Sequence, residues 1–332
     1  MTDGGAPAAP PANVVLTGAA GFIGSHLAER LLGSGSRVYG IDKLDDYYPA
    51  ALKIHNVAPS LAHPKFSLEV LDLADADAVR AYAARVPRPD VVVHLAAVAG
   101  VRLSVSDPAR YVRANLVGTQ NVLDAWSRSG VPLVFASSSS VYGNTSRAPF
   151  SESEPCVDPP SPYAATKRAG ELLCRVAHEI HQSPITMLRF FTVYGPRQRP
   201  DLAIRKFSTA ILRGEKVTVF GDGSMARDFT HVTDIVGGIL AAMRHTEGFR
   251  AVNLGNSSPC TVKDLIARLG RALGTEPRVA HVDRPPGEMD VTYADVSLAA
   301  KLWGWRPAVE LDDGLRDFAS WIRGEEAAGR NP

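Results

Sequence analysis

Tyr163 and Lys167 stand four residues apart, a little beyond a run of four serines, Ser137 to Ser140. Each type has a task in taking the proton from a hydroxyl whose carbon is losing a hydride. That step needs a base near neutral pH, whereas a free tyrosine titrates near ~10. Lowering it by ~3 units costs about 4 kcal/mol, roughly what one ammonium at ~4 Å supplies at an effective dielectric of ~20. Spacing of four puts both side chains on one face of a helix. Lys167 and a positively charged redox ring can then keep Tyr163 ionised. Ser138 is the serine expected to relay or orient the proton, with Ser139 and Ser140 left to touch substrate. A lone Tyr-x-x-x-Lys is a frequent accident, a packed tyrosine beside a solvated lysine. Its place behind the serine cluster and a glycine-rich turn gives it weight.

That turn is Gly18-Ala-Ala-Gly21-Phe-Ile-Gly24, reached directly from an apolar run. Three glycines there let backbone amides at a helix start approach a pyrophosphate. Glycines also serve ordinary turns, so the motif is weak alone. Context strengthens it, because strand, turn and helix follow in order and Asp42 closes the second strand about 20 residues on. A carboxylate at that place accepts both ribose hydroxyls and repels a 2'-phosphate, which favours NAD over NADP, with Lys43 beside it pulling the other way. Asp72, after the third strand, can take the adenine amino group or cap the next helix.

The elements that must position these groups are legible from Val14 onward. Strands are expected at Val14-Thr17, Arg37-Ile41, Phe66-Leu71, Val91-Leu95, Leu133-Ala136 and Ile185-Phe190. Helices are expected near Ser25-Leu32, Ala76-Ala84, Ala109-Ser127 and Tyr163-His181. Apolar runs alternating with amphipathic stretches mark a parallel, doubly wound α/β sheet. After Phe191 the rhythm breaks into Gly- and Pro-rich chain, then short helices near Val262-Leu273 and Leu311-Ile322. The expected division is a tail over 1–12, a dinucleotide-binding domain over 13–190 to which the chain returns near 232–255, and a smaller C-terminal α/β substrate domain over 191–325. The latter would close over the carboxyl edge of the sheet, where such sheets bind ligands.

Of the 332 residues, 45% are hydrophobic and 21% charged, and the formal net charge is +1. A full core is affordable, and no basic stripe suits nucleic acid or a membrane surface. The three cysteines, Cys156, Cys174 and Cys260, are far apart without Cys-x-x-Cys spacing, which points to a reducing compartment and no metal site. No signal-peptide pattern and no run of 18 apolar residues occurs, so the expected location is cytoplasmic. His178 and His181 share a helix face but lack companion ligands, so a wet surface is the reading. Asp45-Asp46 and Glu325-Glu326 are expected to be solvated charges.

With these residues assembled, the chain resembles the extended short-chain dehydrogenase/reductases, and among them the UDP-glucuronate 4-epimerases, from about Val14 to Ile322. The generic carriers are Gly18 to Gly24, His94-Leu-Ala-Ala97, Asn115 and Tyr163/Lys167. More specific are Asp45-Asp-Tyr-Tyr48, Ala99-Gly-Val-Arg102, Ser137-Ser-Ser-Ser-Val-Tyr-Gly143, Arg189-Phe-Phe-Thr-Val-Tyr-Gly-Pro196, Arg199-Pro-Asp201 and Arg227-Asp-Phe-Thr230. The resemblance implies a Rossmann-type fold and C4 epimerisation of a UDP-sugar, UDP-glucuronate to UDP-galacturonate, through a transient 4-keto sugar.

It implies a catalytic serine at Ser138, a base at Tyr163 and a ribose-binding lysine at Lys167. NAD contacts are implied from Gly18, Gly21, Phe22, Ile23, Gly24, Asp42, Lys43, Asp72, Leu73, Leu95, Ala96, Ala97, Asn115, Phe190 and Val193. Ser139, Ser140, Thr192 and Arg199 match positions that hold the sugar carboxylate, and Arg227 and Arg284 those that clamp the diphosphate. Arg102 is placed on the substrate side, and Phe207, Val219 and Phe220 near the uracil. A homodimer built from the helices near Ala109-Ser127 and Tyr163-His181 is expected. Val98, Arg197-Gln198 and Arg284-Pro-Pro-Gly-Glu288 depart from the usual pattern. The rivals are UDP-galactose 4-epimerase, a UDP-glucuronate decarboxylase or nucleotide-sugar dehydratase, and a silent NAD-binding scaffold. Dehydratases resembling this chain carry an Asp-Glu pair where Ser139 and Ser140 stand.

Overall fold

The computed structural model describes residues 10–144, 147–283 and 290–331. The chain opens with β1 (Asn13–Thr17), α1 (Phe22–Gly33), β2 (Arg37–Asp42), α2 (Ala50–Leu61), β3 (Phe66–Val70), α3 (Ala76–Arg85) and β4 (Val91–His94). Two short helices follow, α4 (Val101–Ser106) and α5 (Pro108–Tyr111), then a π-helical turn (Val112–Val117), α6 (Gly118–Trp126), β5 (Leu133–Ser138), α7 (Pro162–His181) and β6 (Ile185–Phe190). Next come β7 (Thr192–Tyr194), α8 (Ala203–Leu212), β8 (Lys216–Phe220), β9 (Ala226–His231), α9 (Val232–Arg244) and β10 (Phe249–Leu254). The last elements are β11 (Pro259–Thr261), α10 (Val262–Leu273), β12 (Arg278–Val282), β13 (Val291–Thr292), α11 (Ser297–Trp303) and α12 (Leu311–Ala327).

Seven parallel strands form one sheet in the order β10-β6-β5-β4-β1-β2-β3. Strands covered on both faces read as unbroken apolar runs, which is why Val14, Val15 and Leu16 are all fully buried. Their alternation sends Val14 and Leu16 to a core under α1 and α9, and Val15 to another under α3, α6 and α7. The chain leaves after β6 and returns as β10, which pairs with β6 in parallel. A third core, with Ile204, Val217, Leu265 and Phe318, holds α8, β8, α10 and α12 together beyond the sheet.

The helix expected over Ala109-Ser127 is broken by the π turn. Such single wide turns inside α-helices are frequent at functional sites. Within this one the Asn115 amide accepts from Val98 N at 2.8 Å and donates to Val98 O at 3.0 Å and Thr166 Oγ1 at 3.0 Å. Downstream of the π turn, Gly118 backs onto Leu73, where an added Cβ would lie 3.3 Å from the Leu73 Cβ.

Two surface readings need correction. Asp45 is mostly buried, because Lys53 and Arg110 close on it, while Asp46 stays exposed. Glu325 is buried as well, held by Arg330 at 3.0 Å and His55 at 3.5 Å. No helix among the described residues is long and apolar enough to cross a membrane, and they contain no cluster of metal-ligating side chains.

Candidate active site

A cleft of about 660 Å³ runs along the carboxyl ends of the sheet strands and past β7, β9 and β13. At one end the chain turns from β1 into α1. Gly18 has φ +70°, and a Cβ on Gly24 would sit 2.0 Å from Gly18 O, so the turn closes only without those side chains. The N-cap of α1, Gly21, offers no side-chain cap, and the helix start borders the cleft. Such free amides suit an anion. Asp42 stands beside them, accepting from Ala20 N at 3.1 Å and Leu44 N at 2.9 Å. Burial raises its carboxyl above the usual range, and those amides work against that rise. Lys43 reaches Asp72 at 3.4 Å, which directs its charge to that carboxylate. Asp72 is not the cap of α3, since Asp75 accepts from Asp77 N and Ala78 N there.

At the middle of the cleft, Ser138 ends β5 and Tyr163 begins the second residue of α7. Ser138 Oγ accepts from Ser140 N at 3.2 Å and Ser140 Oγ at 3.0 Å. With its lone pairs filled, Ser138 keeps its proton to donate toward the neighbouring Tyr163 phenol. Burial pushes the Tyr163 phenol up, while the Ser138 hydroxyl and the Arg199 guanidinium pull it down. Lys167 is fully enclosed and donates to Ala136 O at 2.8 Å, and burial lowers its ammonium to about 8. The structure thus brings Arg199 as well as Lys167 to the cleft that holds Tyr163.

Arg199 belongs to the segment between β7 and α8. It forks onto Asp201 at 2.9 and 2.8 Å, donates to Ala99 O at 3.3 Å and lies over the Tyr47 ring. Tyr47 donates to the same carbonyl at 2.5 Å. Burial works against the Arg199 charge, but Asp201 outweighs it and holds the guanidinium firmly protonated.

Most of the expected site residues line this one cleft: Gly18, Gly21, Phe22, Ile23, Gly24, Asp42, Lys43, Asp72, Leu73, Leu95, Ala96, Ala97, Ser138, Ser139, Ser140, Tyr163, Lys167, Phe190, Thr192, Val193, Arg199 and Arg227. Asn115 lies beneath the wall, its amide spent on Val98 and Thr166. Val219 is buried in the third core, with Phe207 packed against it, and Arg102 stacks over Phe220 with 4.3 Å to the ring centre. Arg284 lies outside the described residues. Tyr47, Tyr48, Gly143, Phe191, Leu202 and Thr292 also line the cleft and were not singled out as contacts. The Asp-Asp-Tyr-Tyr motif was the available signal for the two tyrosines, and Thr292 had none.

Beneath the floor, a chain of hydrogen bonds fixes the loop after β4. Thr119 donates to Asn115 O at 2.6 Å and so accepts from His94 Nε2 at 3.0 Å. His94 Nδ1 then accepts from Thr17 Oγ1 at 2.7 Å, and Thr17 accepts from Ala96 N at 3.1 Å. Burial holds the imidazole neutral, at about 3.

A sheet-edge glycine turn, an acid at the second strand and a Ser-Tyr-Lys set define a dinucleotide-dependent enzyme acting on a hydroxyl-bearing carbon. Residues 14–255 match the NAD dependent epimerase/dehydratase family, and the chain belongs to it. A UDP-glucuronate 4-epimerase of Thermodesulfobacterium geofontis is 37% identical over 93% of this chain and 95% of its own. UDP-glucuronate 4-epimerase 5 of Arabidopsis thaliana is 40% identical over 94% of this chain and 75% of its own. The UDP-glucuronic acid 4-epimerase of Bacillus cereus, solved with UDP-glucuronic acid and NAD, superposes with a TM-score of 0.87 at 38% identity, covering 94% of this chain and 99% of that one.

Proposed function

We propose that this chain is an NAD-dependent isomerase that inverts C4 of UDP-glucuronate to give UDP-galacturonate. The carrying observation is that Arg199 lines the same cleft as Ser138 and Tyr163. In a uronic acid the carboxylate carbon is two bonds from C4, so base and anion receptor must lie within one ring's width. Ser139 and Thr192 border the same space and add hydroxyl donors, and Ser140, which also borders it, must release Ser138 to join them. A neutral hexose would leave this cation without a partner on the ligand. A dehydratase reading lacks its carboxylates, because serines occupy both places after Ser138.

The glycine turn, the bare helix start and Asp42 fit NAD: Cβ atoms are excluded where the pyrophosphate must approach, and a carboxylate faces the ribose end. NAD, when bound, supplies the acceptor that takes a hydride from C4 and gives it back. Tyr163 removes the C4 hydroxyl proton and returns it, with Ser138 donating to the phenol oxygen. Lys167 supplies positive charge at the ribose side, and Arg227 meets the diphosphate. Oxidation at C4 makes a β-keto acid, which loses carbon dioxide when the C5–C6 bond stands perpendicular to the ketone plane. Arg199 and the hydroxyls restrain that torsion, each bond to a charged group contributing about 1.5–3 kcal/mol. To receive the carboxylate, Arg199 must share or exchange Asp201.

Residues 13–190 with 232–255 form the cofactor unit in this reading, and the remainder the substrate unit. The exposed apolar side chains of the π turn and α7 are read as the face of a homodimer. Incubation with UDP-glucuronate should yield UDP-galacturonate without accumulating NADH. Arg199→Ala should weaken UDP-glucuronate binding, narrow the preference over UDP-glucose and raise the ratio of UDP-pentose to UDP-galacturonate. An unchanged ratio with unchanged affinity removes Arg199 from the site and the uronic acid with it.

A further inference from the structure

Four hydrogen bonds to one carboxylate lie just behind the catalytic set and belong to none of the steps above. Glu171 is on α7, one turn beyond Lys167 and two beyond Tyr163. Its carboxylate accepts from Ser137 Oγ at 2.6 Å and from Arg189 at 2.9 and 3.0 Å, with Arg168 at 2.9 Å on the outer side. Ser137 precedes Ser138 on β5, and Arg189 is its register partner on β6. One buried carboxylate thus joins the helix that carries the base to the two strand ends that carry Ser138 and Phe190.

We propose that Glu171 is a positioning residue: through Ser137 and Arg189 it sets the distance between Ser138 and Tyr163, and one turn along α7 it is the carboxylate that neighbours Lys167. The inference deepens the proposed function, since it concerns the base of that reaction. Ser137 is then the member of the serine run that serves the scaffold, its hydroxyl committed to Glu171 and unavailable to a sugar. Glu171 faces Lys167, Arg168 and Cys174 on its own helix, Ser137 on β5, Arg189 on β6 and Cys156 in the loop before α7. Burial works to protonate it, but Arg189 and the other donors keep it below the usual carboxylate range. Lys167 in turn faces Glu171 and Cys174 on α7, His94 on β4, and the Phe135 ring and Ala136 carbonyl on β5. Cys174 and Glu171 both work against the desolvation that lowers Lys167, and since burial keeps the Cys174 thiol protonated, Glu171 is the anion of the two.

The test uses Ser137→Ala, Ser137→Thr and Glu171→Gln in the full chain, followed by kcat and KM for UDP-glucuronate and the NAD dissociation constant from pH 6 to 10. Ser137→Ala should lower kcat about tenfold at little change in KM or melting temperature, because a small misplacement of reacting groups is costly in rate. Ser137→Thr keeps the hydroxyl and should restore it. Glu171→Gln should move the alkaline loss of NAD affinity to lower pH by about half a unit or more, as expected when an opposite charge is removed. That arm does not involve the sugar, so it stands even if UDP-glucuronate proves not to be the substrate. If Glu171→Gln does not fold, the Ser137 pair decides the matter. Wild-type kcat in Ser137→Ala, a loss that Ser137→Thr does not restore, or an unmoved NAD profile in folded Glu171→Gln each overturns the proposal.

Discussion

At Tyr163 the enclosure that excludes water also opposes the ionised phenol that the chemistry needs, so charge around it decides the rate. Tyr163→Phe removes the base while keeping the ring and should cost about 10²-fold or more in turnover with NAD and sugar binding nearly intact. Near-normal turnover would reassign the base. Lys167 is cationic below about 8 and neutral above it. Activity and NAD affinity should therefore decline together as pH rises through that value, and Lys167→Met should abolish the pH dependence of binding along with much of the affinity. The Tyr-Lys spacing and the serine run were legible because they are local. Asp45 was misread because what buries it arrives from 65 residues away as Arg110. The bonds of Asn115 to Val98 and Thr166 were not legible, because they depend on a π turn that no residue pattern announces.

The first strand-turn-helix unit is where element geometry is least forgiving. An added methyl at residue 24 meets the Gly18 carbonyl at 2.0 Å, a backbone atom that cannot yield without opening the turn. Gly24→Ala should thus weaken NAD binding at least about tenfold and lower the melting temperature, as expected when a backbone turn is strained. Unaltered NAD titration and melting would show that the turn tolerates the shift. Of the six strands from β1 to β6, β1, β4, β5 and β6 were legible because burial on both faces leaves continuous apolar runs, and β2 and the edge strand β3, only part-buried, because they recur in the same alternation with helices. Five helices, α2, α4, α8, α9 and α11, were not, and two of them show why. In α2 a proline at 59 and a buried asparagine at 56 blur the period, and α8 is embedded in chain rich in glycine and proline. The return of the chain as β10 was foreseen only as a range, because a strand's neighbour is set by topology rather than by its own residues.

Two properties belong to the molecule as a whole. His94 ties β1, β4 and α6 together in the neutral form, at about 3 against an ordinary 6.5. The unfolded chain binds that proton first, so this contribution to stability is complete above 6.5 and is lost as pH falls toward 3. Between pH 7 and 5 the loss is about 2 kcal/mol by linkage. Urea unfolding at the two pH values should show it, and His94→Asn should flatten that part of the profile. The second property concerns assembly. Leu172, Val176 and Ile180 recur every fourth residue along α7, and all are more than half exposed, Ile180 at 67%. Val112 and Val117 of the π turn, which packs beside α7, are exposed as well. A helix that buries one face in its own core and shows a second apolar stripe to water gains by covering it with a like stripe, and a two-fold pairing lets the same patch serve both copies. The wild-type chain should therefore elute as a dimer by light scattering. Val176→Lys with Ile180→Glu should yield a folded monomer that still binds NAD, since both side chains point away from the cleft-facing side of α7 that carries Tyr163 and Lys167. A double variant that remains dimeric would move the interface elsewhere.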